Sequence, residues 1–270
     1  GSLTASSGGA TRTLTIADDY FRSLNAGALI IPGTSNFHVS MSGTSAQYFD
    51  LAGSIPRLTI ANGTTVTLSE STTVSTAFSI SSGAGNVLIQ KNFYTEQTST
   101  ITIPSSATVT LGNGVVWTLA GDLTVDGTLL LNPGASLKMP NGSTLSVGTT
   151  GTLQLTGSSG NAANIDALNS SSTYTLNNIG KVNLSYFSIN RTTAAGMNVT
   201  GQILGLSNGS FNYIPNGGYG ITLGAAANIP ASASGIGFFG QNASTPRNIN
   251  ATSFNVSNIT FNNWQGVGDT

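Results

Sequence analysis

The chain of 270 residues has no cysteine, one histidine and few charged side chains. The absence of Cys excludes disulfides, thiolate catalysis and Cys-ligated metals, and the single imidazole of His38 cannot form a His-based metal site. Only 6 % of the residues are charged, whereas an ordinary globular domain has about 25 %. The net charge is −1 and Lys and Arg form no cluster, so we expect no nucleic-acid partner.

Long apolar runs and helical periodicity are also scarce. No segment reaches the about 18 consecutive apolar residues of a transmembrane helix, so no membrane span is predicted in this segment. Residues 16–24 form the one helix-like run, which is long enough for at most about two turns. Gly1 and Ser2 are interpreted as a cloning scar and are left out of the fold analysis.

Ser, Thr, Asn and Gly make up about half of the chain, while 39 % of the residues are apolar. A disordered chain combines low hydrophobicity with high net charge, so this composition favours a folded protein. In many short segments an apolar residue alternates with Thr, which is the period of a strand with one buried and one exposed face. Such segments are residues 57–60, 66–68, 101–103, 109–111 and 123–125.

Glycines divide residues 112–160 into short, evenly spaced segments. Successive closing glycines lie 6 to 9 residues apart, and three successive steps span 21 to 24 residues. Very short strands turned by single glycines are typical of a solenoid, in which each coil contains a few such strands. The glycines are Gly121, Gly127, Gly134, Gly142, Gly151 and Gly157.

The second half contains a repeated pattern, S-x-x-[S/T]-[I/F]-N. Copies at residues 185–190 and 207–212 lie 22 residues apart, and a third copy at 257–262 lies 50 residues further on, which is two coils of 25. A degenerate copy at 234–239 falls in the gap. We therefore expect the apolar positions of the three clear copies to point inward and to stack in register. These positions are Ile189, Phe211 and Phe261.

The segments LSNGSFNYIPNGGYGITL and VSNITFNNWQGVG resemble the repeat of right-handed parallel β-helix (pectin-lyase-like) proteins. That family includes pectin-degrading enzymes, phage tailspikes and many bacterial surface and secreted proteins. The resemblance implies an all-β fold, a right-handed single-stranded parallel β-helix over residues 101–270, with coils of about 21–27 residues. It also implies inward apolar stacks and ladders of Asn, and 19 of the 27 Asn lie after residue 160.

The two ends of the chain are less regular. Residues 3–100 form either an N-terminal cap or irregular early coils of the same solenoid, because a solenoid end needs its open core covered. The last residues stop within the repeat pattern, so we expect the sequence to be truncated from a longer chain.

Groups for acid–base chemistry are few and scattered. Asp122 and Asp126 flank a short strand and each adjoins a glycine, so we interpret them as turn residues, with Ca²⁺ binding or catalysis as the weaker alternative. His38 lies between apolar neighbours and is interpreted as a strand-surface imidazole. We assign no catalytic residue, no metal site and no cofactor.

Exposed aromatic rings are the remaining candidates for binding, because they can stack on sugar rings. Repeated T-x-T triplets are also similar to ice-binding β-solenoids, but their spacings of 52, 35 and 8 residues follow no single coil length. The candidate carbohydrate-binding residues are Trp117, Tyr186, Tyr213, Tyr219 and Trp264.

Two functions follow as hypotheses. The first is a non-catalytic structural or adhesive segment of a large secreted or cell-surface bacterial protein, in which the solenoid forms a rigid stalk or a binding face. The alternative is a polysaccharide-binding or polysaccharide-cleaving module of the tailspike or lyase type. The expected partners are cell-surface glycans or another surface protein, and the expected localisation is extracellular.

The sequence predicts that the fold is stable without metal. No acidic cluster needs a cation for neutralisation, and each coil buries the apolar face of its neighbour. The thermal midpoint measured by circular dichroism should therefore be the same with and without a chelator. A fall of many degrees would instead assign Asp122 and Asp126 as Ca²⁺ ligands.

Overall fold

The computed structural model of the protein describes residues 12–17, 20–22, 36–230, 232–241, 247–252, 260–262 and 265–266. These residues contain strands and no helix, and the strands stack in parallel as a β-solenoid of about nine turns. The all-β parallel solenoid predicted from the repeat is thus confirmed.

The strands are named in chain order. Those before residue 100 are β1 (Arg12–Ile16), β2 (Tyr20–Arg22), β3 (Phe37–Met41), β4 (Gln47–Asp50), β5 (Gly53–Ile60), β6 (Thr65–Leu68), β7 (Thr72–Ile80), β8 (Asn86–Ile89) and β9 (Phe93–Thr95). Those from 101 to 156 are β10 (Ile101–Ile103), β11 (Thr108–Leu111), β12 (Val116–Leu119), β13 (Leu123–Val125), β14 (Thr128–Leu131), β15 (Ser136–Met139), β16 (Thr144–Val147) and β17 (Thr152–Thr156). The remainder are β18 (Ala163–Ala167), β19 (Tyr174–Asn178), β20 (Lys181–Ser185), β21 (Phe187–Asn190), β22 (Thr192–Val199), β23 (Gln202–Ile214), β24 (Tyr219–Leu223), β25 (Ser232–Gly240), β26 (Arg247–Asn250), β27 (Thr260–Asn262) and β28 (Gln265–Gly266).

Each complete coil places one strand segment on each of three faces. Face 1 consists of β1, β3, residues 57–60 and 77–80, β10, β13, β16, β19, β22, β24 and β26. Face 2 consists of β2, β4, β6, β8, β11, β14, β17, β20, the first halves of β23 and β25, and β27. Face 3 consists of residues 53–55 and 72–74, β9, β12, β15, β18, β21, the second halves of β23 and β25, and β28.

The core is built from columns of apolar side chains that repeat once per coil. On face 2, Val87, Val109, Leu129 and Leu153 are consecutive ladder partners, and none of them has exposed surface. Full burial of one such side chain stabilises a fold by roughly 1.5–3 kcal/mol. The alternating residues point outward and are mostly Thr, Ser and Asn, which explains the apolar–Thr pattern of the sequence.

The predicted register of the S-x-x-[S/T]-[I/F]-N repeat is confirmed for the clear copies at residues 185–190 and 207–212, and the degenerate copy continues it. Ile189 pairs with Phe211, and Phe211 pairs with Phe238 of the degenerate copy. The Phe211 and Phe238 rings are stacked, with centroids 5.4 Å apart and an interplanar angle of 8°. Offset stacking of this kind adds about 0.5–1.5 kcal/mol to the burial of the rings.

The prediction that Phe261 continues this column is wrong. Phe261 pairs with Ala233 on face 2, whereas Phe238 on face 3 pairs with Gly266. The physical reason is that strands on all three faces share the same two-residue alternation. A matching motif therefore does not specify the face on which it lies.

The helix-like run at residues 16–24 is also not helical where the structure describes it. Residues 20–22 are strand β2, and Tyr20, Phe21 and Arg22 pair in parallel with Tyr48, Phe49 and Asp50. Hydrogen bonds to the next coil override the weak local helix pattern, as tertiary context commonly does.

The sequence left open whether the residues before 100 form a cap or early coils. Their strands β1 to β9 belong to the same three faces. Face 2 continues from β8 to β11 and face 3 from β9 to β12 without a change of register. Among the described residues, face 1 has no ladder between β7 and β10. There the backbone N–H of Phe78 donates a hydrogen bond to the side-chain carbonyl oxygen of Gln97 instead.

The corner between faces 1 and 2 brings the backbones of successive coils unusually close. A Cβ on Gly151 would overlap the carbonyl oxygen of Val125, and a Cβ on Gly127 would overlap the carbonyl oxygens of Pro104 and Ala107. At these two positions only a residue without a side chain fits. The glycines of this column are Gly85, Gly127, Gly151, Gly180 and Gly201.

We predict that Gly151→Ala lowers the free energy of unfolding by about 1–3 kcal/mol, because the added methyl group meets fixed backbone atoms. Urea denaturation followed by circular dichroism measures the change. Gly83→Ala is the matched control, since Gly83 is exposed and a Cβ there meets nothing within 4 Å. Equal midpoints for the two variants would contradict the assigned corner geometry.

Candidate functional site

An open groove of about 590 Å³ lies where face 3 meets face 1 in the C-terminal half of the solenoid. Four successive coils contribute to it through β18, β21, β23 and β25. We name it the Tyr213 groove. Its lining residues are Asp166, Ser188, Asn190, Arg191, Asn212, Tyr213, Phe239 and Gly240.

A three-residue ion cluster forms one end of the Tyr213 groove. The Asp166 Oδ1 atom lies 2.7 Å from Nη1 of Arg191, and Oδ2 lies 3.0 Å from Nζ of Lys138. The Arg191 guanidinium carbon also lies 3.9 Å from the centroid of the Tyr213 ring, a cation–π contact. Each carboxylate oxygen therefore has its own cation, and the arginine is fixed between the carboxylate and the aromatic ring.

Amide and hydroxyl groups form the floor of the Tyr213 groove. Asn212 Nδ2 donates to Asn190 Oδ1 at 2.7 Å and to the hydroxyl oxygens of Ser188 and Ser210, both at 2.9 Å. The Ser188 hydroxyl donates to Asn190 Oδ1 at 2.9 Å. This is an Asn ladder of the kind that the family resemblance implied, and it holds these polar groups in fixed orientations.

Backbone strain is concentrated at the two edges of face 3 in these coils. Among the described residues, four non-glycine residues have positive φ: Tyr186 at 47°, Arg191 at 57°, Asn208 at 51° and Tyr213 at 57°. Tyr186 and Asn208 lie at the corner with face 2, and Arg191 and Tyr213 at the corner with face 1. Left-handed conformations cost about 1–3 kcal/mol each, and such residues are concentrated at functional sites.

A second groove, of about 390 Å³, lies at the other edge of face 3. We name it the Tyr186 groove. Ser210 lines this groove and Ser188 lines the Tyr213 groove, so the two grooves meet along the serine column of face 3. The residues lining the Tyr186 groove are Ser158, Gly160, Asn161, Ala162, Tyr186, Phe187, Asn208, Gly209, Ser210 and Gly235.

The aromatic candidates are distributed unequally over the structure. Tyr186 and Tyr213 are 37 % and 46 % exposed, one in each groove. Tyr219 is half-buried on face 1, where its hydroxyl accepts a hydrogen bond from Arg247 Nη1 at 2.7 Å. Trp264 lies outside the described residues.

The expectation of an exposed ring at Trp117 is wrong. Its side chain has no exposed surface, because it is an inward position of β12 packed against Phe93 and Phe78, with ring centroids 6.0 and 6.2 Å away. Its indole N–H donates to the Thr95 hydroxyl at 3.4 Å. Trp117 therefore contributes to stability and does not reach a surface ligand.

Asp122 and Asp126 lie at opposite ends of β13. The Asp122 carboxylate accepts a hydrogen bond from the backbone N–H of Thr144 in the next coil at 2.8 Å. The backbone carbonyl of Asp126 accepts from the Thr150 hydroxyl at 2.7 Å. Both residues thus connect a corner to the following coil. In the part of the chain that is described, no group of three or more His, Cys, Asp or Glu side chains comes together.

His38 lies on the outer surface of face 1, far along the chain from the grooves. Its Nε2 atom lies 2.7 Å from the Thr59 hydroxyl, its Nδ1 atom lies 3.4 Å from the Thr13 hydroxyl, and Arg57 is its ladder partner. Partial burial, followed by the positive charge of Arg57, lowers the pKa of His38 below its usual value.

Sequence reasoning did not find Asp166, Arg191 or Phe239. It treated the charges after residue 100 as scattered, yet Lys138, Asp166 and Arg191 follow one another at intervals of 28 and 25 residues, close to one coil. Charges spaced by one coil become neighbours in a solenoid. The coil length itself was therefore the signal that could have brought them together.

These features define the molecule as a parallel β-solenoid protein with a polar, aromatic-edged groove system on one face. No protein-family model, no curated protein and no solved structure matches the chain. Within the described residues, no helix has the length and apolar character needed to cross a membrane.

We predict that the N-terminal coils lose stability as the solution is acidified. A lowered folded-state pKa means that the contribution of His38 is complete above its unfolded pKa of about 6.5 and is lost as pH falls through the folded value. Urea midpoints measured between neutral and mildly acidic pH should fall more for the wild type than for His38→Gln. Parallel pH profiles for the two proteins would contradict this role of His38.

Proposed function

We propose that the chain is a non-catalytic structural and adhesive segment of a large secreted or cell-surface bacterial protein, and that the two grooves of face 3 bind glycans. The main evidence is the Tyr213 groove, in which an exposed aromatic ring lies next to hydrogen-bonded amides and hydroxyls on a rigid scaffold. Small-molecule sites combine an apolar contact surface with a few fixed polar groups in this way.

The rigidity of the scaffold supports this function. The strands on either side of the groove are joined coil to coil by parallel ladders, and their inward side chains Ile189, Phe211 and Phe238 are buried. Groups that are already held in place lose little conformational entropy when they bind a ligand. A rigid binding face and a stalk are thus compatible roles for one solenoid.

Asp166 is the only carboxylate among the described residues that line the Tyr213 groove, and its ion pairs favour binding without cleavage. Glycoside hydrolysis ordinarily needs two carboxyl groups with separate acid and base roles. Asp166 is engaged by Arg191 and Lys138 through both of its oxygens, so it is poorly suited to protonate a leaving group or to activate water. The structure is therefore less compatible with a polysaccharide-cleaving module than with a non-catalytic adhesive segment.

The resemblance to the pectin-lyase-like repeat supports the finer part of the proposal. A right-handed β-helix of the bacterial surface type accounts for the Asn ladder and the low charge. Extracellular glycans, or a glycosylated surface protein, are the partners that such a segment would meet.

A polysaccharide panel scored for both retention and cleavage tests the proposal. We expect at least one polysaccharide to be retained by the wild type and released by Tyr213→Asn, without the appearance of shorter products. Asn is the chosen replacement because it tolerates the left-handed backbone of position 213. Tyr94→Asn is the matched control, since Tyr94 is 41 % exposed on the same face several coils away.

Two outcomes would contradict the proposal. Cleavage that is abolished by Asp166→Asn, Asp122→Asn or Asp126→Asn would establish an enzyme. Retention that is equally insensitive to Tyr213→Asn and Tyr94→Asn would move the binding face away from the grooves.

A further inference from the structure

We infer that the ligand of face 3 is an uncharged oligosaccharide that spans both grooves, with one sugar ring against Tyr213 and another against Tyr186. The inference rests on the proposed glycan-binding function and specifies its substrate class.

The charged residues that line the grooves neutralise each other and therefore favour an uncharged ligand. Among the described residues that line the two grooves, Asp166 and Arg191 are the only Asp, Glu, Lys or Arg, and they are paired with each other at 2.7 Å. The second oxygen of Asp166 is bonded to Lys138. A uronate would need an uncompensated cation, and an amino sugar would need an uncompensated carboxylate, since partly desolvated charges are costly without a partner.

The polar groups that remain match sugar hydroxyls. The Asn212 N–H groups and the Ser188 hydroxyl hydrogen are used within the Asn ladder, which leaves Asn190 Nδ2 and the Ser210 hydroxyl as donors and Asn212 Oδ1 as an acceptor. Sugar hydroxyls likewise donate and accept. Because the Asn ladder already orients these groups, their pattern selects by hydroxyl geometry and not by charge.

The placement of the two tyrosines sets the length of the ligand. Tyr186 immediately precedes β21, and Tyr213 lies at the opposite edge of face 3, in the next coil. The strand between these edges covers five residue steps from Tyr186 to Arg191, or roughly 17 Å at about 3.3 Å per residue. One sugar ring cannot contact both aromatic side chains, so an oligosaccharide running along the strand direction is required.

The strained backbone supports the same assignment. Positive φ at positions 186 and 213 turns both tyrosine side chains out of the strand alternation and leaves them exposed at the two edges. Two large apolar rings in left-handed conformations are unfavourable for folding alone. A ligand that contacts both rings gives these positions a common role.

The test uses isothermal titration calorimetry with three oligosaccharide series, each from disaccharide to hexasaccharide. Cello-oligosaccharides and manno-oligosaccharides are neutral, and oligogalacturonates are charged. We expect a neutral hexasaccharide to bind with an affinity that is insensitive to salt. Tyr186→Asn and Tyr213→Asn should each weaken hexasaccharide binding by about ten-fold, the effect of losing one stacked ring. A disaccharide should respond to one of the two variants only.

The outcomes separate this inference from the function on which it rests. Tighter, salt-dependent binding of oligogalacturonates would overturn the neutral class and leave glycan binding intact. Hexasaccharide binding that is unaffected by Tyr186→Asn would overturn the spanning mode. Retention of no glycan of either class, by a protein whose thermal midpoint shows it to be folded, would overturn both; Tyr94→Asn is again the control.

Discussion

Parallel hydrogen bonding between successive coils is the interaction on which the whole structure depends. It sets the distance between equivalent strands at about 4.8 Å, so residues one coil apart in sequence become direct neighbours. Lys138, Asp166 and Arg191 meet in this way although each is separated from the next by more than 20 residues. The same spacing leaves no room for a Cβ at Gly127 or Gly151, which lie at the corner between faces 1 and 2.

The short spacing also explains why the chain contains so few charges. A parallel stack puts equivalent positions opposite each other, and like charges placed opposite each other are destabilising. The outward column of face 1 illustrates the solution, because neutral polar side chains occupy it from coil to coil. Its members are Thr102, Thr124, Ser146, Asn177, Asn198, Thr222 and Asn250. In the charged cluster around Asp166, the ladder partner Lys138 and the corner residue Arg191 both carry the opposite charge, so its contacts are attractive.

The sequence predicted the fold and part of the site, and the limits of that prediction have physical causes. Strand alternation and the repeat length were sufficient for the solenoid and for the register of Ile189 with Phe211. They were insufficient for Phe261 because the alternation is the same on every face. Composition singled out Tyr186 and Tyr213 correctly as exposed rings and Trp117 incorrectly, since a large ring fits an outward corner or an inward column equally well. The groove itself depends on the positive φ at Arg191 and Tyr213, and no local sequence pattern predicts a positive φ at these positions.

The junction between β7 and β10 has a mechanical consequence. A rod that is pulled along its axis places the hydrogen bonds between its coils under tension. Across this junction, among the described residues, faces 2 and 3 are joined by ladders, while on face 1 the backbone N–H of Phe78 donates to the Gln97 side chain in place of a ladder. Fewer hydrogen bonds therefore resist tension at this junction, so a stalk built on this solenoid would yield first between these two coils and leave the half that contains the grooves intact.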